Sequence, residues 1–421
     1  MKKRKLYGYL VVIAAFLAVF TLFGYRSSFG VLLGPMSDDM GWTVSQTTLG
    51  YALMMLVYGV SAYFSGEIVD RWGVKYAYLL GAIFGALGFL LSSLVNSYEH
   101  YLASYAIFGG IGTGMCWVTS TASVRKWYPG SKYATYWGLA FMGAPTAQVL
   151  MSLGASEVII WIGWRYAMRM LAAVVFIVMI TAALLSKREP ETYDVKISDD
   201  VPSEDQQIFW PTLKAFRKWS AIGITVAFLT SMMAEFTIWS QAVTYWEEDT
   251  DLAYNMARNL YILIGVFGLA TMPLMGKFQD FIVSKSKNEP RGRKISLMIA
   301  PLVGLTACVL MIATSLNIIA GLAASLSFAI YWATEPGAAA GYTGAVFGKK
   351  NMGHVWGFAT LWSMSIGPFL GSYVGGIIYD LTEVYDYTII FAIIFFLVSA
   401  LTAWTLPEKY LGGKNPDGPN E

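Results

Sequence analysis

Residues 163–186 read GWRYAMRMLAAVVFIVMITAALLS, and residues 187–207, directly after them, read KREPETYDVKISDDVPSEDQQ. The first stretch is long and apolar enough to cross a bilayer as one helix, since a hydrocarbon core of about 30 Å needs about 20 apolar residues. The second carries charges of both signs and few apolar side chains, so it reads as a solvated connector. Comparable apolar stretches lie near 6–34, 45–69, 75–96, 99–124 and 133–158 before this pair, and near 218–246, 254–280, 294–314, 316–345, 352–379 and 386–406 after it. In lipid the backbone must satisfy its own hydrogen bonds, which leaves helices or closed barrels. Barrel strands alternate over about 10 residues; these stretches are longer and continuous, so they are helices.

The composition agrees. The chain has 421 residues, 56% hydrophobic and 13% charged, where a soluble chain carries roughly a quarter charged residues. The sequence thus predicts an all-α integral membrane fold of twelve transmembrane helices. A first bundle of six occupies 1–186, a cytoplasmic linker 187–216, and a second bundle of six with a short cytoplasmic tail 217–421. The first apolar stretch is too long for the core of a cleavable signal and runs directly into further spans, so it is expected to stay as a membrane helix.

Orientation follows from lysine and arginine. With the N-terminus in the cytoplasm, 25 of the 29 basic residues fall on cytoplasmic segments; Arg165, Arg169 and Arg258 fall outside, and Arg26 lies within the first helix. Both termini are expected in the cytoplasm, in the cell membrane. The formal net charge of +2 reflects topology and does not suggest nucleic acid. Cys116 and Cys308 fall within spans as packing residues, and His100 and His354 have no neighbours at metal-ligand spacing. No cofactor or metal is expected.

Gly66-Glu67-Ile68-Val69-Asp70-Arg71-Trp72-Gly73 fits G-x-x-x-D-R-x-G at the link between the second and third helices. Its glycines permit a tight turn and close helix contact, and Asp70 and Arg71 suit charge pairing across a half. The corresponding link in the second half, Gly276-Lys277-Phe278-Gln279-Asp280, is a degraded copy, as internal repeats predict. The motif, the twelve-helix layout and the central linker resemble the major facilitator superfamily, with two pseudo-symmetric six-helix bundles. Within it, Gly8-Tyr9-Leu10-Val11-Val12 through Gly30-Val31, Gly41-Trp42, Arg125-Lys126-Trp127-Tyr128-Pro129 and Gly367-Pro368-Phe369-Leu370-Gly371 resemble the monocarboxylate porter and oxalate/formate antiporter group. The resemblance implies a monomeric secondary transporter, not an enzyme, moving a small organic anion by symport or antiport. Its partners would be the bilayer, a small-molecule substrate and protons. The chain departs from the group at three places: Met272 stands where the eighth-helix basic residue belongs, Gly268 where the acidic residue belongs, and Trp362 and Ser363 where the eleventh-helix lysine belongs.

Charges inside the membrane are functional candidates by default. Arg26 in the first helix, Glu235 in the seventh and Glu335 in the tenth are three such charges. The resemblance brings the group's first-helix lysine within a residue of Arg26. Arg26 would meet an anionic group of the substrate, while Glu235 or Glu335 would take a proton or meet a cationic group. Alternatively, Arg26 pairs permanently with one of these glutamates and ties helices together. Glu235 and Trp239, and Tyr331 and Glu335, are spaced i, i+4 and share helix faces. With Trp117, Trp332 and Trp362, which lie deeper than an interfacial belt, they form a candidate substrate-binding set that also suits an ammonium group. Gly109-Gly110-Ile111-Gly112-Thr113-Gly114 follows no strand and precedes no Walker lysine, so it reads as close helix packing. Pro145, Pro273, Pro336 and Pro368 are expected to kink or loosen their helices. No nucleophile–base pair or sensory domain is visible, which argues against an enzyme or a receptor. Two substrate classes stay open: a small organic anion, supported by the resemblance and Arg26, and a zwitterion or cation such as a betaine, amino acid or amine, supported by the acidic and aromatic residues.

Overall fold

The computed structural model describes residues 2–128, 133–187, 210–286 and 288–411. Among these residues twelve helices are long and apolar enough to cross a membrane: α1 (Leu6–Met40), α2 (Val44–Gly66), α3 (Val74–Ser92), α4 (Tyr98–Val124), α5 (Tyr136–Ile162), α6 (Trp164–Leu185), α7 (Trp219–Glu248), α8 (Tyr254–Ser286), α9 (Glu289–Ser315), α10 (Ile318–Phe347), α11 (Val355–Thr382) and α12 (Tyr385–Trp404). Most of the predicted linker, 188–209, lies outside the described residues.

The two sets of six are packed alike. In the first, α1 lies against α4, α5 and α6, α2 against α4, and α3 against α4 and α6. Six helices later, α7 lies against α10, α11 and α12, α8 against α10, and α9 against α10 and α12. The halves meet where α2 faces α11, α5 faces α8 and α1 faces α7.

Several boundaries differ from the sequence reading, each with a local cause. The first helix was expected to stop at 34, before Pro35, yet it continues to Met40. Proline cannot donate to the carbonyl four residues earlier. Here that carbonyl, of Val31, accepts a hydrogen bond from the Tyr254 hydroxyl of α8 at 3.1 Å. A partner from the other half thus replaces the missing intrahelical bond, as helices in lipid require. The four expected proline bends divide into two pairs. Near Pro145, α5 is interrupted at Met142, and near Pro368, α11 is interrupted at Met364 and Ser365. Pro273 and Pro336 sit inside unbroken helices. Helix α4 is entered through a π-helical turn, Leu102–Phe108, which no periodicity in the sequence marks.

The start of α2 is held from two directions. Thr43 and Gln46 form a capping box, which satisfies two amides that a helix start leaves unpaired. The next free amides, of Val44 and Ser45, donate to the two carboxylate oxygens of Asp380 on α11, at 3.1 and 3.0 Å.

Candidate substrate site

A narrow cavity lies between the halves, with Arg26 of α1 facing Glu235 and Trp239 of α7 and Trp332 of α10 across it. Its free space holds about one water molecule. Four residues singled out in the sequence therefore come together at one place, from three helices of both halves.

Arg26 is 4% exposed, and its Nε and Nη2 have no hydrogen-bond partner. Its guanidinium carbon lies 4.8 Å from the centre of the Tyr58 ring, 5.1 Å from that of Phe23 and 5.5 Å from that of Phe236. Contacts of this kind are worth about 2 kcal/mol when desolvated, but aromatic faces do not use N–H donors in the ring plane of the guanidinium. The pairing considered from the sequence, with Arg26 locked to a glutamate, is not the arrangement seen. Glu235 is saturated from elsewhere: Trp239 Nε1 donates to its Oε1 at 3.0 Å and the Tyr331 hydroxyl to its Oε2 at 2.8 Å. Both Glu335 oxygens lack a hydrogen-bond partner although the residue is fully buried.

The remaining candidates occupy other shells. Tyr331 stands behind Glu235, its oxygen 2.9 Å from Ser231 Oγ. Trp117 packs against Phe23, Phe141 and Trp137, one layer from the cavity. Trp362 does not join the aromatic set. It is 47% exposed and stacks edge-on with Phe358, because α11 breaks just after it and its face turns away from the cavity. Gly73 of the G-x-x-x-D-R-x-G motif has φ +98°, a conformation that favours glycine; it caps the start of α3, two residues after the helical backbone continuing from α2 ends at Arg71. Gly66 is half-buried beside Val118 and Arg71 is exposed, while the Asp70 side chain lies outside what is described. Asp280, in the copy of the motif, pairs with Arg293 at 3.3 Å.

Other wall residues went unnoticed in the sequence: Phe23, Ser27, Ala144, Gln148 and Phe236. Gln148 carried a signal, since a buried amide in a membrane helix needs partners; its Nε2 donates to the Tyr261 carbonyl at 3.0 Å, joining α5 to α8. Ser231 is spaced i, i+4 with Glu235, the same rule that found Trp239. The departure at Gly268 also acquires a reason. A Cβ there would lie 3.1 Å from Pro145 and 3.3 Å from the Trp332 ring, so the indole takes up the room that a larger side chain would need.

At one end the halves are fastened together. Besides the Asp380 and Tyr254 contacts, Arg258 of α8 pairs with Glu157 of α5 at 2.6 Å, and the Tyr261 hydroxyl donates to the carbonyls of Ser27 and Trp239 at 3.1 Å each. All these lie on the side of the cavity where α1 ends and α2 and α8 begin.

Comparison with known proteins places the chain in a family. The sequence profile of the Major Facilitator Superfamily matches residues 15–363. The uncharacterized MFS-type transporter YhjX of Escherichia coli is 23% identical over 278 residues, 65% of this chain and 66% of that protein. The riboflavin transporter MCH5 of Saccharomyces cerevisiae is 26% identical over 35% of this chain and 28% of its own length. Human monocarboxylate transporter 11 is 21% identical over 42% and 38%. The chain thus spans less than two thirds of the length of these relatives. In structure, a bacterial homolog of the human lysosomal transporter Spinster, solved inward-facing and unoccupied, superposes with a TM-score of 0.73 at 15% identity, over 95% of this chain and 98% of that one. A D-xylose-proton symporter gives 0.71 at 14%, with the same coverage.

Proposed function

The chain belongs to the Major Facilitator Superfamily, whose members are secondary transporters that work by alternating access, and on that premise we propose that it carries a small organic anion of the monocarboxylate type. The observation that supports this reading is the pair of unpartnered donor nitrogens, Nε and Nη2, on buried Arg26 at the cavity wall. A buried donor without a partner costs about 1–3 kcal/mol, more when charged, and a carboxylate is the group whose two oxygens match a guanidinium edge. The aromatic side chains around it offer an apolar wall to the body of a short carboxylate. Glu235 fits the cation or zwitterion reading less well, because Trp239 and Tyr331 already donate to both of its oxygens.

The two bundles, 1–186 and 217–421, are the moving bodies of this reading, and the site rests on Arg26, Glu235, Trp239, Tyr331 and Trp332, with Trp117 behind them; Glu335 lies off the cavity. Protons are the coupling ion. The protein works as a monomer in the cell membrane with both termini in the cytoplasm, so the fastened end faces outward and the state described here is closed to the outside.

A thermal-shift screen of purified protein against lactate, pyruvate, formate and acetate, with betaine and alkylamines alongside, tests the substrate class. A ligand of the folded state raises the melting temperature by mass action. Carboxylates are expected to shift the wild type, and Arg26→Ala to weaken that binding about a hundredfold, or about 3 kcal/mol. Shifts by amines or betaine alone, or carboxylate shifts that survive in Arg26→Ala, would overturn the proposal.

A further inference from the structure

Glu335 has no role in holding the substrate as described above. It is fully buried, both its oxygens lack partners, and it does not line the cavity. An ionised carboxylate in such a place is uncompensated and costs several kcal/mol, whereas the protonated form is far less costly. Natural proteins keep such a group where its proton comes and goes.

Its surroundings connect it to the site. Ser231 of α7 faces Glu335. Ser231 Oγ lies 2.9 Å from the Tyr331 hydroxyl, and that hydroxyl donates to Glu235 Oε2 at 2.8 Å. Glu235 in turn faces Arg26 across the cavity. The ionisable groups near Glu335 are Tyr331 on its own helix and Glu235 on α7. Helix α8 brings the uncharged Gln279 to the Thr334 carbonyl. Helix α9 brings Arg293 to Gly341, further along, where it pairs with Asp280 and Glu289. From Val355 to Ser372, α11 carries no ionisable side chain.

We propose that Glu335 is the proton-binding site of the transport cycle, and that Ser231 and Tyr331 relay its proton to Glu235. This deepens the organic-anion reading and rests on it. In the relay, the Glu335 carboxyl gives its proton to Ser231 Oγ, Ser231 passes its own to the Tyr331 oxygen, and Tyr331 passes its own to Glu235 Oε2. The Ser231 and Tyr331 oxygens each lose one O–H bond and gain one, Glu335 loses one and Glu235 gains one, so the net change is one proton moved from Glu335 to Glu235. Arg26 then loses its negative neighbour and is left with the substrate carboxylate as its sole counter-charge. Proton and anion occupancy are coupled through Arg26.

The test uses the full chain in proteoliposomes, with the monocarboxylate among lactate, pyruvate, formate and acetate that gives the largest melting shift. Two rates are read: accumulation driven by an imposed proton gradient, and exchange of labelled for unlabelled substrate without a gradient. Glu335→Gln is expected to lower driven accumulation at least about tenfold and leave exchange within about twofold, the retained exchange proving the variant folded. Glu335→Asp, which keeps a carboxylate, is expected to restore part of the accumulation. Accumulation by Glu335→Gln at the wild-type level would overturn the relay, as would equal loss of accumulation and exchange in a variant that still melts cooperatively. Wild-type net uptake of the carboxylate unaccompanied by proton uptake would overturn it while sparing the anion reading. Absence of carboxylate binding and exchange in the wild type would sink the anion reading, and the relay with it.

Discussion

Glu235 and Glu335 are the same residue type, in two helices of the same half, both buried, and they are held in opposite ways. Glu235 receives one hydrogen bond from an indole and one from a phenol; Glu335 has only the Ser231 hydroxyl facing it and no donor at hydrogen-bonding geometry. A saturated carboxylate is a fixed point, and removing it strands its donors. A bare carboxylate strands nothing when it is replaced by a neutral isostere. Burial alone therefore does not tell a carboxylate that other groups lean on from one that nothing leans on; the distribution of partners does.

That contrast can be broken by stability measurements. The largest effect is expected for Glu235→Ala, which leaves the Trp239 N–H and the Tyr331 hydroxyl buried without their acceptor and Arg26 without its neighbour. A loss of about 3–5 kcal/mol is expected, read as a lowered melting temperature in detergent, whereas Glu335→Gln should stay within about 1 kcal/mol of wild type. Equal losses in the two variants would erase the distinction. Tyr331→Phe comes next. It keeps the ring against Phe396 but removes the donor to Glu235, for about 1–3 kcal/mol, and it should also slow gradient-driven accumulation. Smallest is Trp239→Phe, at about 1 kcal/mol, because the phenyl ring keeps part of the edge-on packing against Trp332 and Tyr261 while Glu235 retains Tyr331. A Trp239→Phe loss larger than that of Tyr331→Phe would show that the indole, not the phenol, anchors the carboxylate.

In the sequence the two glutamates looked equivalent, because partners on other helices leave no local trace. What was legible came from rules that act along one helix. Twenty apolar residues marked each span, and a charge inside a span marked Arg26, Glu235 and Glu335. The i, i+4 spacing put Trp239 on the face of Glu235. Tyr331 shares a face with Glu335 as well, yet its hydroxyl goes to Glu235, across helices. Phe23 and Phe236 were invisible for a related reason: in a membrane helix a phenylalanine that faces a cavity is chemically the same as one that faces lipid. Trp362 was misplaced because depth along α11 does not set direction around it, and the helix is interrupted two residues later, at Met364. The end of α1 was misjudged at Pro35 because the donor that rescues the Val31 carbonyl is 223 positions away.

The Asp380 contact has a consequence in time as well as in space. The amides of Val44 and Ser45 are sheltered by a carboxylate that belongs to the opposite half, so any movement that parts α2 from α11 at that end hands both protons to the solvent. Their replacement by deuterium reports how much of the time the two helices are apart there. Two backbone positions thus act as a built-in gauge of how open the molecule stands, one that reads whether or not a substrate is being carried.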